Sequence, residues 1–473
     1  MNRTAVKTLL TICCLIIVTC TAMAIASRPP APTPLPVPTP IPTGKGIVTL
    51  NGQLTQDKIF INGDGTVSVA LTMTAADTDA ARPDMARNVD LVVVLDRSGS
   101  MQGQKIEDAR RAIHQLLADL TPADRFALVS YSVDVRRDAG LMPVTPANRN
   151  LLQAAVNNIS ADNGTNLGAG LQEGLAILEQ RAASGNAGRL IIISDGLANH
   201  GVTEPTALAA MAGRAVANGS VVSAVGVGLD FNEYLMTAIA DQGTGRYYYL
   251  EDAAGFARVF KDECRKSRIA AATGLEILIP LHDGITLKDA AGYPVTVQNN
   301  QAIFRPGDLP AGQSRKLFLT FQVPTHSPKS YAINGISLRY RYNGQPYAAA
   351  LTEPLQVTCV SNKDEALASI NKPEMENKVL QDDYNRLRDE VAQSINKGDQ
   401  QDAMSKIEKF RADKKELNSV VGSGRIAESL DKDLPALVER VKETFAGAPA
   451  AVATKQKQSA KELQYKAYEG RRQ

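Results

Sequence analysis

Residues 90–101 read DLVVVLDRSGSM: a short apolar run, Val92 to Leu95, that breaks off into an acid and two serines at alternate positions. An apolar run without polar alternation predicts a strand buried on both faces, the kind found in parallel sheets. Asp96, Ser98 and Ser100 then set three oxygen-bearing side chains within five residues, just past the strand's end. A serine-rich turn or helix N-cap would use the same residues, so their meaning depends on what the rest of the chain brings beside them.

Outward from this stretch, short apolar runs alternate with amphipathic helices. The helix after Asp96 carries Ile106, Ile113, Leu116, Leu117 and Leu120 on one face. FALVSYS (126–132), LIIIS (190–194), VVSAVGV (221–227) and RYYYL (246–250) read as strands. Helices are predicted around 147–159, from Leu167, and at 205–217, 232–241 and 253–265. Strand–helix alternation of this kind predicts a doubly wound, mostly parallel, Rossmann-like α/β domain over 88–267.

The flanks read differently. Residues 46–87 and 268–361 alternate in the strand manner between Gly- and Asp-rich turns. The first block is too short to form a stable sheet alone. The two are therefore expected to pair as a β-sandwich into which the α/β domain is inserted. From 362 to 448 the chain becomes helical and charged, with stripes such as Leu380, Tyr384, Leu387, Val391 and Ile395. Such stripes fit helices packing on one another and also an oligomerising coil. Residues 449–473 end in six basic residues, Lys455, Lys457, Lys461, Lys466, Arg471 and Arg472, and read as a flexible, solvated tail.

At 473 residues the chain exceeds one core and suggests two or three domains. A net charge of +2 and 5% aromatic residues give no field or stacking surface for nucleic acid. Residues 1–27, with Arg3 and Lys7 before an apolar run and Ala24-Ile25-Ala26 at its end, read as a secretory signal peptide or an uncleaved membrane anchor. Residues 28–45 form a proline-rich spacer. The chain is thus expected to be exported, to the periplasm, the cell surface or beyond. Cys264 and Cys359 then remain, either paired or as separate thiols. The sequence leaves the oligomeric state open.

In an open α/β sheet, ligands collect at the carboxyl ends of the strands. NGTN (163–166) puts Thr165 in a loop before a helix, and LIIISDG puts Asp195 just past a second apolar strand. With Asp96, Ser98 and Ser100 this makes two carboxylates and three hydroxyls on one sheet edge. The set is all hard oxygen, which suits Mg²⁺, with Mn²⁺ or Ca²⁺ as alternatives, and not zinc. Arg97, between the oxygens, faces solvent or a partner, or forms an ion pair. Asp134, Asp138 and Asp162 read as solvated turn residues in nearby loops.

DLVVVLDRSGSM, GTN and LIIISDG, in this order, resemble the von Willebrand factor type A domain and its metal-ion-dependent adhesion site, over about 88–265. The resemblance implies that Ser98, Ser100 and Thr165 touch a divalent ion directly, and that Asp96 and Asp195 do so directly or through water. It implies a protein partner whose Asp or Glu carboxylate completes the ion's shell. The flanking sandwich and helical region resemble exported, surface-associated bacterial proteins of that group. No phosphate-binding glycine loop is present, so adhesion or assembly rather than catalysis is expected. The alternatives are a non-enzymatic scaffold working through its helical region and an Mg²⁺-dependent hydrolase.

Overall fold

The computed structural model describes residues 46–77, 88–180 and 185–472. The expected signal segment (1–27), the proline spacer (28–45) and residues 78–87 lie outside the described residues. Among the described residues no helix is long and apolar enough to cross a membrane.

The chain opens with β1 (Val48–Leu54), β2 (Lys58–Phe60) and β3 (Thr66–Ala75). The α/β domain follows as β4 (Val89–Asp96), α1 (Gln104–Asp119), β5 (Arg125–Tyr131), β6 (Val135–Pro143), α2 (Pro146–Asn157) and α3 (Leu167–Glu179). It continues through β7 (Ala187–Ser194), α4 (Pro205–Ala217), β8 (Ser220–Val227), α5 (Glu233–Gln242), β9 (Thr244–Leu250) and α6 (Phe256–Ile269). Ten strands come next: β10 (Ala270–Pro280), β11 (Thr286–Ala290), β12 (Thr296–Gln298), β13 (Gln301–Phe304), β14 (Leu309–Pro310), β15 (Ser314–Gln322), β16 (Ser330–Ile333), β17 (Ser337–Tyr342), β18 (Gln345–Ala350) and β19 (Leu355–Val360). The helices α7 (Lys363–Ala368), α8 (Lys372–Asn377), α9 (Tyr384–Asn396), α10 (Gln400–Val421), α11 (Gly424–Thr444) and α12 (Pro449–Gly470) complete the chain.

The central sheet runs β6-β5-β4-β7-β8-β9. Every neighbouring pair is parallel except β5 with β6, an antiparallel edge that the sequence pattern did not reveal. All eight residues of β4 are buried because both its faces are covered. Val89, Leu91, Val93 and Leu95 pack toward α1, α2 and α6. Val92 and Val94 pack toward α3, α4 and α5. That two-sided burial explains the uninterrupted apolar run.

β3 is the centre of the first sandwich sheet, order β1-β3-β15-β11, so the amino-terminal strands pair with strands from beyond the α/β domain. A six-stranded sheet around β10 and the three-stranded sheet β16-β19-β2 close over the same core. The α/β domain is an insertion between β3 and β10. Cys359 is buried in the sandwich, whereas Cys264 lies against the α/β core, and both are free thiols. In the helical region Tyr384, Leu387, Val391 and Ile395 pack intramolecularly with Ile407, Leu434, Leu437, Val441 and Leu463.

The reading of 449–473 as a flexible basic tail is corrected. Residues 449–470 form α12, which lies along α9 and the edge strand β9. Lys461 is almost fully buried and donates to Glu233 at 2.7 Å and to the Phe231 carbonyl at 2.8 Å. Arg471 and Arg472 both pair with Asp241 on α5. Tyr468 enters the α/β core, and its hydroxyl accepts from the Tyr247 amide at 2.8 Å. The acids that neutralise these cations lie more than two hundred residues earlier in the chain, which is why the run looked solvated.

Candidate metal centre

The carboxyl edge of the sheet assembles three loops around the end of β4. The parallel register places Leu95 beside Ile193, so Asp96 and Ser194 emerge side by side. The Ser194 hydroxyl donates to Asp96 Oδ2 at 2.9 Å, and the Ser98 amide donates to Asp96 Oδ1 at 2.8 Å. The chain then turns through a short 3₁₀ segment, Gly99–Met101. Ser98 Oγ and Ser100 Oγ lie 3.1 Å apart, and Ser100 Oγ donates to Asp195 Oδ1 at 2.6 Å.

Thr165 comes from the third loop, just before Asn166 caps α3. Its amide accepts no ladder role and instead donates to Asn199 Oδ1 at 2.9 Å, while its carbonyl accepts from the Asn199 amide at 3.1 Å. A Cβ placed on Gly196 would lie 3.6 Å from Ser100 Oγ and 3.7 Å from Thr165 Oγ1, so both hydroxyls face the same point of backbone. Gly164 has φ +78°, and a side chain there would collide with Val133 and His200. Glycine is required at that approach. The structure thus brings together Asp96, Ser98, Ser100, Thr165 and Asp195.

Burial pushes the Asp96 carboxyl up to about 6, against hydrogen bonds from Ser98 and Ser194 that favour its anion; the nearby Asp195 adds to the rise. Asp96, Thr165 and Asp195 are buried, while Ser100 is exposed at the mouth. A dehydrated carboxylate held by neutral donors, beside a second carboxylate, is an environment that a cation relieves. Among the described residues no three His, Cys, Asp or Glu converge on one point. The donors available are therefore two carboxylates and three hydroxyls, a set that fits a hard divalent ion.

Arg97 departs from an outward orientation. It is fully buried, donating to Asp134 at 2.5 Å and Asp162 at 3.2 Å, so it settles as an ion pair. Its amide donates to the Tyr131 carbonyl and its carbonyl accepts from the Asp162 amide. Arg97 thereby ties the Asp134 and Asp162 loops to the end of β4. Asp134 and Asp162 are half-exposed but engaged, not free turn residues. Asp138 sits in β6 with one carboxylate oxygen buried and without a partner, and burial raises its pKa.

Residues 90–262 match the sequence profile of the von Willebrand factor type A domain. This chain carries a von Willebrand factor type A domain. Such domains typically serve protein interaction or adhesion and bind a divalent metal at a metal-ion-dependent adhesion site. The uncharacterized protein YfbK of Escherichia coli is 27% identical over 249 residues, 51% of this chain and 42% of that protein. An uncharacterized Synechocystis protein is 27% identical over 310 residues, 61% of this chain and 69% of its own length. Human inter-alpha-trypsin inhibitor heavy chain H1 is 32% identical over 170 residues, 34% of this chain and 19% of that one. The matches thus span less than half of the Escherichia coli and human relatives.

Among solved structures, a von Willebrand factor type A protein from Catenulispora acidiphila aligns at TM-score 0.66 and 17% identity, covering 90% of this chain and 98% of that one. An ArnB paralogue from Sulfolobus acidocaldarius aligns at TM-score 0.54 and 15% identity over 90% of this chain and 99% of its own. These likenesses show the fold, and their coverage extends it beyond the von Willebrand factor type A domain itself.

Three contributors were not foreseen from sequence. Ser194 and Tyr131 support Asp96, the Tyr131 hydroxyl donating to the Ile193 carbonyl at 2.7 Å. Lys105, at the start of α1, donates to Asp195 Oδ2 at 2.5 Å. Only the position of Lys105, five residues behind Ser100 and second in the following helix, could have signalled it.

Proposed function

We propose that this protein is an exported, metal-dependent protein-binding module of an adhesion or assembly system. Asp96, Ser98, Ser100, Thr165 and Asp195 would hold Mg²⁺, Mn²⁺ or Ca²⁺. When bound, the ion supplies an unfilled, electrophilic position that accepts an Asp or Glu carboxylate from a partner. The observation that carries this reading is the convergence of those five residues from three loops with Ser100 left open at the mouth.

The surroundings support a protein ligand. Among the described residues Val133, Leu197 and Val202 are exposed large apolar side chains, at 50%, 58% and 42%. Val133 and His200 flank Gly164, Val202 abuts Gly168, and Leu197 lies two residues past Asp195. Exposed apolar residues gathered around a polar centre are a common mark of protein contact surfaces. Arg97 pairs with Asp134, next to Val133, and with Asp162, two residues before Gly164, so it holds the Val133 side of the collar. Export rests on the expected signal segment or anchor at 1–27.

Capture of ligands from exported or surface fractions tests the reading. Wild-type protein with Mg²⁺ is expected to retain ligands that are lost with chelator and with Asp96→Ala. Equal capture under all three conditions would remove the metal-dependent mechanism.

A further inference from the structure

The Asp195 carboxylate is shared between two directions. Oδ1 accepts from Ser100, toward the hydroxyls, and Oδ2 accepts from Lys105 Nζ on the opposite side at 2.5 Å. The Asp195 side chain is fully buried, while Lys105 reaches it from a position 38% exposed.

Among the described residues no other acid pairs with this lysine. On its own helix, Glu107 pairs with Arg110 and Asp108 with Arg111. Asp230, in the loop after β8, lies close enough to feel Lys105 but pairs with Lys457 of α12 at 2.6 Å. A Cβ on Gly228 of that loop would sit 3.9 Å from Lys105 Nζ, so the loop borders the ammonium. Lys105 is the second residue of α1. A cation in the first turn opposes the helix dipole, and although Glu107 lies in the same turn, the placement of Lys105 is accounted for by Asp195 rather than by its own helix.

We propose that Lys105 is a built-in counter-cation of the metal centre. It positions Asp195 with one oxygen toward the hydroxyls. It also leaves the loaded centre with a positive charge that Asp96 and Asp195 do not cancel. The consequence is a trade: the ion is held less tightly than the carboxylates alone would hold it, and an external carboxylate is held more tightly. This rests on the metal-centre reading above and deepens it, because it assigns the preference for an anionic partner to a residue outside the ligand set.

The two effects have opposite signs, which a packing role would not produce. Mn²⁺ titration of the purified full chain, followed by electron paramagnetic resonance, reads the first. Relaxation of acetate methyl protons by the Mn²⁺-loaded protein reads the second. Lys105→Met is expected to bind Mn²⁺ about five- to tenfold more tightly, from loss of one nearby charge, and acetate several-fold more weakly. Lys105→Arg is expected to stay near wild type in both. Unchanged or weakened Mn²⁺ binding in Lys105→Met overturns the role of Lys105. Absence of Mn²⁺ uptake by the wild type overturns instead the metal-centre reading beneath it, so the two failures are told apart.

Discussion

Asp96, at the sheet edge, and Asp383, at the start of the helical region, are both buried carboxylates, and their surroundings push them in opposite directions. Burial raises both. At Asp383 it is outweighed by Lys378, Lys414 and Arg386, whose ammonium and guanidinium groups lie 2.7, 2.5 and 2.6 Å away and hold the acid well below the ordinary carboxylate range. At Asp96 the donors are hydroxyls and an amide, Lys105 serves Asp195 instead, and the carboxyl stays near 6. The helical region brings three cations to one buried acid; at the sheet edge the internal cation goes to Asp195, and Asp96 is left to hydroxyls and an amide.

The same substitution should therefore do opposite things in the two places. Asp383→Asn leaves Lys378, itself buried, short of a partner. Loss of one member of a buried ion cluster costs about 3–5 kcal/mol, which urea unfolding at pH 7 would register. Because the folded-state pKa of Asp383 lies below its unfolded value, its contribution is present above about pH 4 and fades as the pH falls further. A loss below about 1 kcal/mol would mean the cluster is solvated and the contrast false.

Asp96→Asn is the smaller effect and has the other sign. In metal-free protein the folded-state pKa of Asp96 lies above its unfolded value, so its contribution is present below about pH 4 and is lost as the pH rises through about 6. A shift of that size corresponds to about 3 kcal/mol. The metal-free variant is accordingly expected to unfold at a higher temperature than wild type at pH 7.5, with the gap narrowing toward pH 5. A variant less stable than wild type at pH 7.5 would show that the Asp96 anion is satisfied without an ion.

The contrast also explains what could be read from sequence. β4 was legible because burial on both faces leaves an unbroken apolar run, and Asp96, Ser98, Ser100 and Asp195 were legible because strand ends fix where their loops emerge. The insertion in the sandwich was legible because strands 46–75 could not form a sheet alone. Long-range charge pairing left no local trace. Lys461, Arg471 and Arg472 looked solvated until Glu233 and Asp241 were placed opposite them. For Arg97 an outward face and an ion pair were equally open to local reading, because Asp134 and Asp162, which settle it as an ion pair, come from distant loops. β6 was hidden because its half-exposed, charged sequence lacks a clean alternation.

Titration of purified protein with Mg²⁺, by calorimetry, tests the central claim most directly when wild type is set beside Asp96→Ala and Asp195→Ala. The account predicts uptake of one ion per chain by wild type and none by either variant, with both variants still folded by circular dichroism. No uptake by wild type, or equal uptake by folded variants, would contradict it.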